Sequence, residues 1–176
     1  LAHMPDMVYG SKPTDGGNLL LSDVEKLALL QTEPQTAKWI RPFLGADEFI
    51  NNIPRWCLWL KGISPAELRA MPHVMRRVEA VKAMRLESTK AATVELASTP
   101  TLFGEIRQPE LGNRYILVPR HSSENRIFIP MGFFDGQVIC GDANSMIPNA
   151  TLYHFGILTS TMHNAWMRAV CGRLES

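Results

Sequence analysis

The last third of the chain changes its hydrophobic period part-way, and no other feature of the sequence limits the fold as much. From Arg126 to Phe133 apolar residues crowd into a short run, Asp135-Gly136 supplies a two-residue turn, and a second apolar run follows at Val138 to Cys140. Short apolar runs on either side of an Asp-Gly pair predict antiparallel strands joined by a hairpin, because Asp and Gly tolerate the backbone that such a turn needs. After a loop from Gly141 to Asn149 the spacing becomes helical. Two apolar segments hinge at Thr159-Ser160, the second carrying His163, Asn164, Trp166, Arg168 and Arg173.

The first half reads as mainly helical. Residues 1–21, with Pro5, Gly10, Pro13 and Asp15-Gly16-Gly17, have loop chemistry and form an extended entry segment. The Asp-Gly-Gly triplet is expected to be a structural turn, since no Gly-Lys-Ser/Thr follows to make a phosphate cradle. Ser22 with Glu25 three residues on forms a capping box for a helix running to about Gln31. Shorter helices are expected at Thr36 to Ile40, stopped by Pro42, and at Ala46 to Asn51. The run WCLWL, Trp56 to Leu60, lies between Pro54 and Gly62 and is almost wholly apolar, which predicts a buried central strand. Ser64, Pro65 and Glu67 start another helix. Over residues 73–87 Val74, Val78 and Val81 share one face and Arg76, Glu79 and Lys82 the other. A helix from Thr89 to Ala97, a strand near Leu102 to Ile106, a turn at Pro109 to Asn113 and a strand at Tyr115 to Val118 complete the chain. The expected fold class is α+β: a helical N-terminal half packed on a small, mainly antiparallel meander, ending in a helical pair. No repeat or linker divides it, so residues 1–176 read as one domain.

Total charge points to no partner: 18 Lys and Arg oppose 17 Asp and Glu, a net charge of +1. Local charge is more informative. Between Arg55 and Lys90 stand Arg55, Lys61, Arg69, Arg76, Arg77, Lys82, Arg85 and Lys90 against only Glu67, Glu79 and Glu87. That segment is a candidate positive face, and on charge alone equally an ordinary solvated helix surface. Cys57, Cys140 and Cys171 are odd in number, far apart and inside apolar runs, so they are expected to be buried free thiols of a reducing cytosol. No apolar stretch is long enough for a membrane span and no signal peptide is recognisable, which gives the expectation of a cytoplasmic chain without a membrane partner. Catalytic patterns are missing. There is no Pro-Pro for an adenine-gripping loop, no glycine-rich turn after a strand for a methyl donor, no His-Glu-x-x-His and no Gly-x-Ser-x-Gly.

Several separate blocks carry a family resemblance. The strings SSEN-R-x-x-IP-x-GF from Ser122, IPNA-x-LYHFGILTS-x-MHNAWMR-x-V-x-GRLES from Ile147, KPTDGGNLLLS from Lys12, PFLGADEFI from Pro42 and RWCLWL from Arg55 resemble the target-recognition domain of the MmeI-like DNA adenine methyltransferases, the fused type IIL restriction-modification enzymes of bacteria. The resemblance implies a fragment of a larger enzyme, with residues 151–176 leading toward a further C-terminal part. It also implies double-stranded DNA as partner and a neighbouring methyltransferase domain in the same polypeptide. That domain would hold S-adenosylmethionine, while this chain itself would hold no cofactor and no metal. Positions carried over by motif as base-reading are Glu175, closing GRLES, and Ala143, in the loop before IPNA. Arg126 and Arg120 are added because the SSEN turn sets arginines on both sides of an exposed hairpin. Arg69, Arg76, Arg77, Lys82, Arg120 and Arg168 are the candidate phosphate contacts. On the last helix His163, Asn164 and Arg168 could approach DNA, or His163 and Trp166 could simply pack. The rival function is a docking module that holds catalytic and helical parts together without reading bases.

Overall fold

The computed structural model describes residues 5–123 and 125–171. Among them the sheet residues form two four-stranded sheets, and the fold is α+β as expected. The first helix, α1 (Asp23–Thr32), begins as its sequence demands. The Glu25 amide donates to the Ser22 hydroxyl at 3.2 Å and the Ser22 amide donates back to the Glu25 carboxylate at 2.8 Å. The same reciprocal box, Ser64 with Glu67, starts α3 (Pro65–Arg69), while α2 (Ala46–Asn51) precedes it. The long helix α4 (Pro72–Leu86) is followed by the short α5 (Ala91–Glu95).

WCLWL does provide a central strand. β4 (Trp56–Leu58) lies between β2 (Leu20–Leu21) and β3 (Ile40–Leu44), antiparallel to both. The valines of α4, Val74, Val78 and Val81, close over this sheet in a core with Leu19, Leu21, Leu58, Leu60 and Phe103. Fully burying a side chain of this size is worth about 1.5–3 kcal/mol, so α4 is held mainly by this stripe. Arg85 continues the stripe one turn on and is also fully buried, at 0% exposure. Its guanidinium donates to five carbonyls, those of Thr14, Leu96, Thr99, Pro13 and Leu102. It is therefore no part of a positive surface, a correction to the expected basic face.

Pairing in the second half differs from a simple meander. β5 (Arg114–Pro119) is antiparallel to β6 (Gly132–Asp135), but the run after the Asp135-Gly136 turn does not return beside β6. Instead β7 (Ile139–Cys140) joins the first sheet, parallel to β3 through Phe43↔Ile139 and Leu44↔Cys140. The stretch expected to be a loop holds β8 (Asn144–Pro148), which lies between β5 and β1 (Val8–Tyr9). The sheet orders are thus β2-β4-β3-β7 and β1-β8-β5-β6.

Other expectations also change. Residues 36–40 are not an α-helix: a 3-10 turn covers Pro34–Trp39 and the chain then enters β3 through Pro42. Pro42 is tolerated because Phe43, not residue 42, donates to the Arg55 carbonyl (2.9 Å), and β7 begins only opposite Phe43. The strand expected near residues 102–106 shrinks to a single bridge between Lys12 and Glu105, and the Leu102 carbonyl turns toward Arg85 instead. Most of the apolar run after Arg126 is irregular as far as Met131. The entry segment supplies two strands rather than a loop throughout. Cys57 and Cys140 are buried and Cys171 is exposed.

The helical pair is as read, α6 (Leu152–Leu158) and α7 (Thr161–Val170), broken at Thr159-Ser160 with Ser160 capping α7. Alternation along β5 explains where the pair sits. Tyr115 and Leu117 face Cys140 and Met146, whereas Ile116 faces the other way onto Ile147, Phe155 and Leu158. Among the described residues no helix is long and apolar enough to cross a membrane.

Candidate nucleic-acid interface

The chain crosses from one sheet to the other at Gly141–Ala143, and this crossover turn is held from three sides. Below it, the Leu44 carbonyl accepts from the Gly141 amide at 2.9 Å and from the Asn144 side chain at 2.8 Å. Along one flank runs the entry strand: Val8 and Tyr9 pair with Met146 and Ser145, Gly10 donates to the Asn144 carbonyl (2.9 Å), and Ser11 to that of Cys140 (2.7 Å). On the other flank the Arg120 amide donates to the Ala143 carbonyl at 3.2 Å and its guanidinium to that of Asp142 at 3.4 Å. Only glycine fits at positions 10 and 141. A Cβ on Gly10 would overlap the Gly141 carbonyl, and one on Gly141 would meet the Phe43 ring at 2.5 Å. Ala143 itself is exposed at the tip.

A second loop, of which residues 121–123 and 125–131 are described, leaves the same end of β5. Here the last helix acts as its anchor. Asn164, buried on α7, accepts from the Ile129 amide at 2.8 Å and donates to the Ser160 carbonyl at 2.9 Å. The Arg168 Nη2 donates to the carbonyls of Arg126 and Ile127. Asn164 and Arg168 therefore shape the loop that presents the exposed Arg126, whereas Trp166, one of the two residues expected to pack, stands exposed on this helix. The structure thus puts Arg120 against Ala143 at the end of β5, and Arg168 against the loop segment that carries Arg126. Glu175 lies outside the described residues.

The helical basic residues form a separate set. Arg69 on α3 and Arg76 and Lys82 on α4 are exposed, and none of the three pairs with a carboxylate among the described residues. Arg76 meets only the His73 ring nitrogen, at 2.8 Å. Arg77 is committed internally, to Glu25 at 2.6 Å and to the Asn18 carbonyl at 3.0 Å. With Arg77 tied and Arg85 buried, the positive face of this segment is smaller than its composition indicates. Among the described residues no hydrogen bond or ion pair joins it to Arg120 or Arg126. A third surface is apolar: α6 and α7 leave Leu152, Tyr153, Ile157, Met162 (85% exposed) and Trp166 (64%) around a groove of about 980 Å³.

The Asp15-Gly16-Gly17 triplet is the structural turn expected of it. The Asp15 carboxylate accepts from the Gly17 amide at 3.1 Å and from Leu19 at 2.5 Å, leaving no set of inward amides for an anion. No cluster of three or more His, Cys, Asp or Glu side chains able to hold a metal occurs among the described residues.

The family model for the target recognition domain of MmeI matches residues 1–176. The chain belongs to that family. This target-recognition domain is 36% identical over 176 residues to DNA methyltransferase A of Bacillus subtilis (strain 168), covering all of this chain and 20% of that protein. It also resembles the solved structure of the type IIL restriction-modification enzyme MmeI in complex with DNA, with 51% identity and a TM-score of 0.92 over 99% of this chain and 23% of that one. The domain spans about a fifth to a quarter of these relatives' length. Reasoning from sequence had found Arg120 and Ala143 without their contact, and had missed the entry strand that flanks them. Only Gly10, a glycine directly after a two-residue apolar strand, hints at a close approach.

Proposed function

We propose that this target-recognition domain reads a DNA sequence for a site-specific DNA adenine methyltransferase of the restriction-modification class. In such an enzyme the remainder of the polypeptide would bind S-adenosylmethionine and flip the target base. The observation that carries the reading is that two supported loops start from the same end of β5: the crossover turn with Ala143 at its tip, held by Arg120, and the loop with Arg126, anchored by α7. Two braced, exposed loops leaving one strand end can enter a groove with little ordering cost, which is what discrimination between bases requires. Arg69, Arg76 and Lys82 on the helices, and Arg120 beside the turn, supply positive charge for phosphates, which would fix orientation on the duplex without selecting sequence. Glu175 is assigned a base-reading role on the family motif alone.

The test is genome-wide mapping of the methylated site by the full-length protein, with binding measured across salt. Ala143→Asp should alter the preference at one base pair, since a carboxylate only accepts hydrogen bonds and favours the cytosine amine. Arg76→Glu should weaken binding to every sequence alike and lower the salt slope by about one. An unchanged site with Ala143→Asp, together with an unchanged slope with Arg76→Glu, would refute the reading.

A second role is favoured by one specific observation, the exposed apolar face of α6 and α7. An area of this kind fits packing against another part of the full-length polypeptide, alongside DNA reading rather than instead of it.

A further inference from the structure

We infer that the entry strand is part of the recognition machinery, and that Tyr9 is a positioning residue which sets the geometry of the Gly141–Ala143 turn through Arg120. The inference rests on the proposed function above and adds to it an element far away in sequence.

Sheet order puts β8 between β1 and β5, so Tyr9 and Arg120 flank the same strand from opposite sides. Tyr9 pairs with Ser145 on β8, and Arg120 follows directly on the pair Pro119↔Asn144. The two side chains meet over β8. The Arg120 guanidinium lies 4.6 Å from the centre of the Tyr9 ring, within the range at which an aromatic face attracts a cation. The same guanidinium donates to the Asp142 carbonyl, and the Arg120 amide donates to that of Ala143. A flexible arginine is in this way held on its face by a ring and at its edge by the turn. Ala143, at the tip of the turn, stays exposed.

The ring is half exposed, at 53%, and it belongs to neither described hydrophobic cluster of its sheet, although its neighbour Val8 does. An aromatic residue left at a surface where packing does not need it, and stacked on an arginine, is better explained by orientation than by stability. The backbone supports this. Residues 8–11 follow the turn and β8 so closely that a side chain at Gly10 is excluded, hence any movement of the entry strand moves the turn.

The experiment uses the full-length protein, its recognised site mapped first, with binding then measured to that site and to each single base-pair variant of it. Tyr9→Leu removes the π face and leaves an apolar side chain at an exposed strand position; Tyr9→Phe keeps the ring. Losing an exposed cation–π contact should reduce discrimination at one base pair or two adjacent ones by about two- to fivefold. Discrimination elsewhere and the salt slope should stay as in the unaltered protein, and Tyr9→Phe should behave like tyrosine. Equal discrimination at all positions in Tyr9→Leu overturns the inference. So does a uniform loss over all sequences, which is what a merely structural or phosphate-side role would produce, and so does a Tyr9→Phe variant as impaired as Tyr9→Leu. If the unaltered protein shows no site preference at all, the proposed function fails first and this inference with it.

Discussion

Replacing Arg85 by Met should be among the most damaging single changes in this domain, although the position looks like an ordinary helix-surface arginine. Met keeps much of the unbranched stem and removes all the donors. Of the five carbonyls that Arg85 satisfies, three keep a backbone donor: Pro13 from Gly104 (3.0 Å), Leu96 from Thr99 (3.1 Å) and Thr99 from Leu102 (3.0 Å). The carbonyls of Thr14 and Leu102 have no other partner among the described residues. Both residues are only half-buried, so each unpaired carbonyl costs toward the low end of about 1–3 kcal/mol, and the two together roughly 2–3 kcal/mol. Removing the charge offsets part of this, because burial disfavours the guanidinium and pulls its pKa down, against a smaller opposite effect of Asp15. The expected net loss is about 2 kcal/mol, a sizeable share of a stability of order 5–15 kcal/mol. Arg85→Lys should fall between, since three donors on one nitrogen cannot span carbonyls on three segments. Urea unfolding followed by tryptophan fluorescence measures both, Trp56 and Trp59 lying beside the same core. A midpoint for Arg85→Met within about 1 kcal/mol of the unaltered chain at the same m-value would refute this reasoning.

Two further outcomes are expected. Glu25 is held at about 2, below its ordinary 4.5, first by the Ser22 amide and then by Arg77. A lowered folded-state value means stability that is present above the ordinary carboxylate range and lost as pH falls through it toward 2. The side chain is about half exposed, so the effect is small; Glu25→Gln should flatten the acid limb of a melting-temperature profile, and an unaltered limb would count against the capping network. For the α6–α7 face, amide exchange over residues 152–170 should be slower in the full-length protein than in the isolated chain. Equal rates would remove the docking role.

The features legible in the sequence are local. Both capping boxes, the valine stripe of α4, the central strand after Pro54 and the break at Thr159-Ser160 depend on residues within a turn or two of each other. Contacts at such spacing are set by side-chain chemistry that a sequence displays directly. The family resemblance, carried by runs of identical residues, was legible for the same reason, and with it the class of function. The tertiary structure alone decided the rest. An Asp-Gly turn permits a hairpin but cannot say that the next two residues pair in parallel with Phe43 and Leu44 instead, because short apolar strands fit any sheet with a free edge. The hydrogen bond from Asn144 to Leu44 spans a hundred residues, and nothing at either end encodes the other. Charge shows the same limit. Arg76, Arg77 and Arg85 are alike in a composition count, yet one is exposed beside His73, one is tied to Glu25 and one is a core residue. Which of them faces water depends on the carbonyls that the loops before Asn18 and after Leu96 bring to α4. The same is true of the candidate recognition surface. Tyr9, Arg120 and Ala143 share no motif, and they are neighbours only because β8 runs between the first strand of the chain and β5.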